Sequence, residues 1–340
     1  MTTTPKILTA ILFTGLTALA QTEIKFDSVP NALQVPATSL FGEVAGVATN
    51  SKGDVFVYTR TGHPTITIGT MRPFVHGGSR LFQFDKTGKF TREIGRETYS
   101  FLVASQVRVD KDDNIWVVDE MANTVHKFDP AGRVVMLLGR RAEAEAVPAR
   151  VNTTGDGSGQ PTDLFNRPTD VAFDAAGNIF VADGAGNNTR IAKFDKDGKF
   201  IKSIGKRGTG EGQFGSVLSL AIDPAGNIYA GDGGNHRIQV FDNDGKYKTS
   251  ITAVANPQAM CITKGANPVL FASNSNPWND IDTAGEIFKL RLDGAVVGKL
   301  GRAGKLPKEF GTTNSLDCRT ENTLWVGELV NLRAQKLELH

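Results

Sequence analysis

The sequence predicts an all-β chain folded as a six-bladed β-propeller. Three observations carry this: a segment that recurs six times, four short apolar or alternating runs in the clearer copies, and glycine at matching turn positions. The clearest copy, PTDVAFDAAGNIFVADGAGNNTRIAKFDKDGKFIKSIG, covers residues 168–205. It recurs at 219–251 and 106–139, and a further copy starts at Gly46 and resumes after an insertion at 79–95. Two weaker copies occupy 259–301 and 315–339. Turn signals separate the runs, such as Ala-Gly-Asn at 176–178 and 225–227 and Asp-x-x-Gly at 195–198 and 242–245. A period of roughly 40 to 60 residues with four strands per unit is that of a propeller blade, whose radial repetition leaves only short edges. Sustained i, i+3, i+4 periodicity is missing after the first 20 residues, so a helical solenoid fits poorly.

Taken in order, residues 1–20 read as a secretory signal peptide. Lys6 and the amino terminus form its positive end, Ile7 to Leu19 its apolar stretch, and Ala18-Leu19-Ala20 a small-residue cleavage site. The apolar stretch is diluted by threonines and shorter than the ~20 residues that span hydrocarbon, so a soluble, secreted or periplasmic protein is expected. Residues 21–340 then form a single propeller with blades at 43–96, 101–140, 165–206, 214–251, 256–301 and 310–339. The last copy holds three evident strands, so residues 22–36 are expected to supply its outer strand and close the ring. Turns after the first and third strands are tight. The long segments 60–78, 140–166, 273–285 and 302–310 therefore fall together on the opposite face, which makes it the expected working face.

Composition narrows the partners. Lys+Arg 38 against Asp+Glu 36 gives a net charge of +2 with no long basic run, which argues against nucleic acid as a partner. Two cysteines exclude a disulfide-built scaffold and a Cys-rich zinc module. No Gly-x-Ser-x-Gly elbow, P-loop, HExxH or dinucleotide fingerprint appears. The expected protein is a monomer without membrane insertion that meets a small molecule, peptide or glycan.

The strings VADGAGNNTRIAKFDKDGKF and IYAGDGGNHRIQVFDNDGKY resemble NHL repeats. FGEVAGVATNSKGDVFVYTRTGHP, with FNRPTDVAFDAAGNIFVADG, is similar to the peptidyl-α-hydroxyglycine α-amidating lyase (peptidylamidoglycolate lyase) group of NHL propellers. This resemblance covers essentially the whole mature chain and implies a six-bladed propeller with a metal-bearing central channel. In that family three histidines on the innermost strands hold a catalytic zinc, and the matching positions here are Ser105, Leu218 and Asn314. None is histidine, so zinc-dependent amidating chemistry is not expected. The family's active-site tyrosine falls at Ala185 and one of its arginines at Gly233. Arg60 keeps a family role position, and His63-Pro64 resembles a His-Pro pair of bacterial relatives. A structural calcium, which the family also carries, would fall near Ser315 or Asp317.

Read from the residues themselves, acids end the second strand of four blades: Asp119, Asp183, Asp232 and Glu328, joined by Glu120. An acid before an Asn/Arg turn caps its own loop, and this is the favoured reading. The competing reading rings the channel mouth with ligand-binding carboxylates. His63, His76 and His236 lie in or beside second-strand loops. The pair flanking the 60–78 insertion makes Arg60, His63 and His76 the candidate catalytic set. Asp170 and Gln106 occupy equivalent inner-strand positions facing the channel, and Trp278 is a candidate stacking platform in a long loop. Cys261 and Cys318 lie in inner strands of neighbouring blades. A bond between them needs Cα atoms within about 7 Å, and two buried thiols are the simpler expectation. Two functions fit: a module binding a small polar molecule, peptide or glycan at the channel mouth, or a lyase or hydrolase with a rebuilt metal centre or none.

Overall fold

A computed structural model describes residues 22–340 apart from 38, 62–64, 69–71, 76–77, 141–153, 278 and 321, with residues 65–68 and 72–75 described in backbone alone. The expected leader lies outside the described residues. Among those described, no helix is long and apolar enough to cross a membrane.

Six four-stranded antiparallel sheets follow one another along the chain. The first blade is Glu43–Thr49, Val55–Arg60, Ser79–Phe84 and Phe90–Ile94, and the second is Ala104–Val109, Ile115–Asp119, Thr124–Phe128 and Val134–Gly139. The third is Pro168–Phe173, Ile179–Asp183, Arg190–Phe194 and Phe200–Ile204, and the fourth is Ser219–Ile222, Ile228–Asp232, Arg237–Phe241 and Tyr247–Ile251. Met260–Ile262, Val269–Asn274, Glu286–Arg291 and Val296–Leu300 make the fifth. The sixth takes Thr313–Thr320, Thr323–Glu328 and Arg333–Leu339 from the end of the chain. Its outer strand is Phe26–Ser28, antiparallel to Arg333–Leu339 with Phe26 opposite Leu339. The ring is thus closed by the N-terminal segment, as the missing fourth strand of the last repeat requires. Residues 60–78, expected as a long loop, carry a hairpin of Thr65–Ile68 and Arg72–Val75.

Burial explains the strand patterns. Second strands are covered on both faces by neighbouring blades, so Ile179–Asp183 is buried at every residue. The outer strand Phe200–Ile204 is wetter, exposed at Ile201 and buried only at Ile204. Between each pair of consecutive blades lies one apolar cluster. Phe101 and Phe128 fill the first such gap, Trp116 and Phe194 the second, Phe180, Phe214 and Phe241 the third. Tyr229 and Phe288 fill the next, Phe271 and Phe310 the fifth, and Phe82, Phe84 and Trp325 close the ring. Glycine punctuates the outer hairpins because the chain there turns left-handed: φ is +84° at Gly198 and +81° at Gly245.

Cys261 and Cys318 are joined by a disulfide, which corrects the expectation of two thiols. The adjoining inner strands bring the two Cα atoms to 6.0 Å, inside bridging range.

His126 is buried at 3% exposure against Phe101 and Phe128, and its Nδ1 has no hydrogen-bond partner. Burial pushes its pKa down to about 4. Between the ordinary value near 6.5 and that value, the unfolded chain binds a proton here and the folded chain does not. Stability should therefore fall by up to about 3 kcal/mol as pH drops through this window. Denaturant midpoints from pH 7 to 4 should show this acid slope reduced in His126→Phe, and an unchanged slope would remove His126 as its source.

Candidate functional site at the channel mouth

The second strands end at the channel mouth, and the acids that end four of them share one task. Asp119, Asp183, Asp232 and Glu328 are fully buried. Each accepts backbone N–H groups from the segment entering its own inner strand. Leu102 and Val103 donate to Asp119 at 2.7 and 3.0 Å, Asn166 to Asp183 at 2.7 Å, Gly215 to Asp232 at 2.8 Å, and Gly311 to Glu328 at 2.8 Å. In three blades the arginine facing the acid donates its Nε as well: Arg190 at 2.9 Å, Arg237 at 3.0 Å and Arg333 at 2.8 Å. Asp119 receives the Tyr58 hydroxyl instead, at 3.1 Å. In the fifth blade Asn274 Oδ1 plays the part, accepting from Asn256 N at 3.1 Å. These groups latch the entering loops and present no free carboxylate to the mouth.

The first blade breaks the rule. Arg60 stands where four of the others carry an acid and the fifth blade carries Asn274, opposite Ser79. Its Nε donates to the Ala104 carbonyl at 2.7 Å and Nη1 to Glu43 at 3.1 Å, while Nη2 lies 3.6 Å from Glu120. Glu120 also accepts from Arg167 Nε at 2.8 Å, so two arginines share its charge. Gly42 lets the entering backbone pass close to Arg60, where a Cβ would stand 1.7 Å from the Arg60 carbonyl oxygen. Having no oxygen to accept backbone N–H groups from its own entering loop, the guanidinium instead bridges Glu43 of its own blade and the second blade, and lines the mouth.

There it meets a cavity of about 200 Å³ lined by Ser105, Thr169, Ala185, Leu218, Asn314 and, beside Arg60, Glu120. A register shift in the inner strands of the second, third and sixth blades leaves Ser105, Thr169 and Asn314 outside regular pairing. Such bulges re-aim side chains, here into the channel. Beneath the cavity a polar belt crosses every blade. Ser105 Oγ donates to Thr169 O at 2.9 Å, Thr169 Oγ1 to Val217 O at 2.8 Å, and Ser219 Oγ to Pro257 O at 2.8 Å. Gln258 Nε2 donates to Asn314 Oδ1 at 3.0 Å, and Asn314 Nδ2 donates to Ala45 O and Ser105 O at 2.7 and 2.8 Å.

The three positions at which the resemblance places zinc ligands thus do converge, but their side chains do not suit zinc. Leu218 has no donor atom. The Ser105 hydroxyl and both ends of the Asn314 amide are taken by the belt. Among the described residues Glu120 alone offers a carboxylate at the cavity, and it is paired with arginine. Among the described residues no three His, Cys, Asp or Glu side chains are grouped to hold a metal ion.

Of the other predicted residues, His63, His76 and Trp278 lie outside the described residues or side chains. His236 is exposed, with Nδ1 3.0 Å from the Ala255 carbonyl, and it does not line the cavity. Asp170 and Gln106 are buried deeper in the channel. Ser315 Oγ accepts from Val47 N at 3.0 Å and donates to Gln106 Oε1 at 2.7 Å. The Asp317 carboxylate accepts from Thr49 N at 2.7 Å, Thr49 Oγ1 at 3.0 Å and Arg319 N at 3.1 Å. Sequence reasoning missed Thr169, Gln258 and Arg167. Thr169 was within reach, because it follows Pro168 in the third copy at the place Ser105 holds in the second.

Fold and site together define a six-bladed β-propeller with a small polar cavity at one mouth of its channel. A family model described as a 6-bladed beta-propeller matches residues 163–274. The chain is similar to the peptidyl-glycine alpha-amidating monooxygenase of Mus musculus, 29% identical over 319 residues, which covers 88% of this chain and 31% of that protein. It is also similar to the probable peptidyl-alpha-hydroxyglycine alpha-amidating lyase of Caenorhabditis elegans, 29% identical over 176 residues, covering 48% of this chain and 44% of the other. The chain spans about a third of the length of the first of these relatives. Among solved structures, a gluconolactonase from Xanthomonas campestris superposes with a TM-score of 0.57 at 14% identity, over 88% of this chain and 87% of that one. That likeness is one of fold.

Proposed function

We propose that the protein is an exported propeller that binds a small polar ligand, or the polar end of a peptide or glycan, in the cavity at the channel mouth, with Arg60 as its charged anchor. The observation that carries this reading is the departure of Arg60 from the latch pattern of the other blades. A repeat broken at one position, over a cavity, is where function is expected to override local rules. About 200 Å³ is below the ~300 Å³ at which sites for drug-sized ligands begin, so a small molecule or a chain end fits best. Export is supported by the leader-like residues 1–20 and by the disulfide, which persists in oxidising compartments.

Screening small acids, amidated and free peptides and oligosaccharides by calorimetry tests the reading. A hydrogen bond to a charged group contributes about 1.5–3 kcal/mol, so Arg60→Ala should weaken a ligand found in this way by roughly ten- to a hundredfold. Equal affinity in the variant would sink the assignment of Arg60.

A second reading, a lyase or hydrolase using the same cavity, is supported by the similarity to proteins named as amidating enzymes. It predicts turnover of an α-hydroxyamide, lactone or ester substrate that Arg60→Ala loses. Binding without turnover across that panel would decide for the binding reading.

A further inference from the structure

Below the belt the channel is crossed by one ion pair whose contacts reach five blades. Arg108, on the inner strand of the second blade, pairs through Nε and Nη2 with both carboxylate oxygens of Asp170 on the third, at 2.9 and 2.7 Å. Its Nη1 donates to Leu316 O of the sixth blade at 3.0 Å, and Nη2 donates to Met260 O of the fifth at 3.3 Å. Asp170 also accepts from Leu220 N of the fourth blade at 2.9 Å and from Val171 N at 2.8 Å. The Asp170 side chain is fully buried and that of Arg108 is 14% exposed. The repeat makes room for the guanidinium, because the places equivalent to Arg108 on the third and fourth blades hold only Ala172 and Ala221.

One carboxylate and two backbone carbonyls from separate blades, converging on the axis, are the hard oxygen donors a calcium ion takes. Here all of them are satisfied by a side chain. We infer that Arg108 is the built-in cation of the channel: its guanidinium does the work of a bound metal, and the propeller needs no calcium to hold its blades in register. The fork geometry matters as much as the charge, since the guanidinium's five donors lie in one rigid plane that meets both carboxylate oxygens and the two carbonyls, whereas a compact ammonium has three donors and no bidentate fork. Gln106 Nε2, which donates to Asn314 O at 3.3 Å, and Ser315 Oγ, which donates to Gln106 Oε1, form the neutral layer between this ion pair and the belt. The sites near Ser315 and Asp317 where the resemblance places calcium are therefore occupied by the chain's own donors.

The test is thermal unfolding of the mature protein, disulfide intact, after dialysis against EDTA and after addition of millimolar calcium chloride. The expected result is the same Tm in both. A rise of several degrees with calcium, or one calcium per chain retained through dialysis, would overturn the inference whatever the variants do. Arg108→Met leaves Asp170 buried without its cation and should lower Tm by roughly 5 °C, with Arg108→Lys falling between it and the parent. Arg108→Met/Asp170→Leu removes both charges and should recover most of the loss. An Arg108→Met protein with the parent's Tm would show that the guanidinium ties nothing together.

Discussion

Replacing Asp183 by alanine should lower the unfolding free energy by about 3–5 kcal/mol, because it strands a charge that has no route to water. Both Asp183 and the Arg190 side chain opposite it are at 0% exposure. Asp183 joins Asn166 N, Asn188 Nδ2 and Arg190 Nε. Its loss leaves Arg190 with the Ser203 hydroxyl and carbonyl oxygens, including Thr162 and Leu164 at 3.3 and 3.4 Å, and frees the segment that enters the third blade. Burial pushes the Asp183 carboxyl up, and the attraction of Arg190 does not fully offset it. The pair therefore contributes little relative to apolar residues of the same shape, while breaking it is costly. Asp183→Leu/Arg190→Met should accordingly lie much closer to the parent than Asp183→Ala does. Denaturant unfolding at constant m-value measures both. A loss under 1 kcal/mol in the single variant would mean that water reaches Arg190.

The same latch explains how much of the molecule the sequence disclosed. Blades are legible because each copy repeats four runs and the same turn residues, and a repeat needs only its own neighbours to form. Asp183 and Asp232 were legible as loop caps from the Asn/Arg turns that follow them, since acid, turn and arginine lie within eight residues. Arg60 stood out through the resemblance, although its being the one basic residue among repeat-equivalent oxygen acceptors, four acids and Asn274, gives the physical reason. The belt was not legible. Ser105 meets Thr169, and Asn314 meets Ala45, only after the ring closes, and the bulges that aim them leave no mark in the alternation of the strands. Arg108 went unread for a related reason: Gln106 and Asp170 are equivalent positions, but the partner of Asp170 lies two residues further along the neighbouring strand. The cysteines illustrate the same limit, because the offset between two inner strands decides whether they meet.

That bond sets the other large expected effect. Cys261→Ser/Cys318→Ser should lower stability by about 4 kcal/mol, since the bridge spans a sequence separation of 57 residues and removes that loop's freedom from the unfolded chain. Other ties also hold the sixth blade to the ring, among them the three-residue strand Phe26–Ser28, the apolar cluster that includes Phe271, Phe310 and Leu316, and the Trp325 cluster against the first blade. These act in the folded state, and the disulfide acts chiefly on the unfolded one. The double variant should therefore keep the native fold, with unchanged far-ultraviolet circular dichroism and ligand affinity, while its denaturant midpoint drops. The parent unfolded in the presence of a reductant should move to the same midpoint, because serine and a reduced thiol leave the loop equally free. A parent whose midpoint ignores reductant, with no free thiol detected before unfolding and two after, would place the stabilisation in the packing of the fifth and sixth blades and not in the bond. If the reduced parent instead matches the serine variant, that part of the stability depends on an oxidising compartment, which ties it to the proposed export.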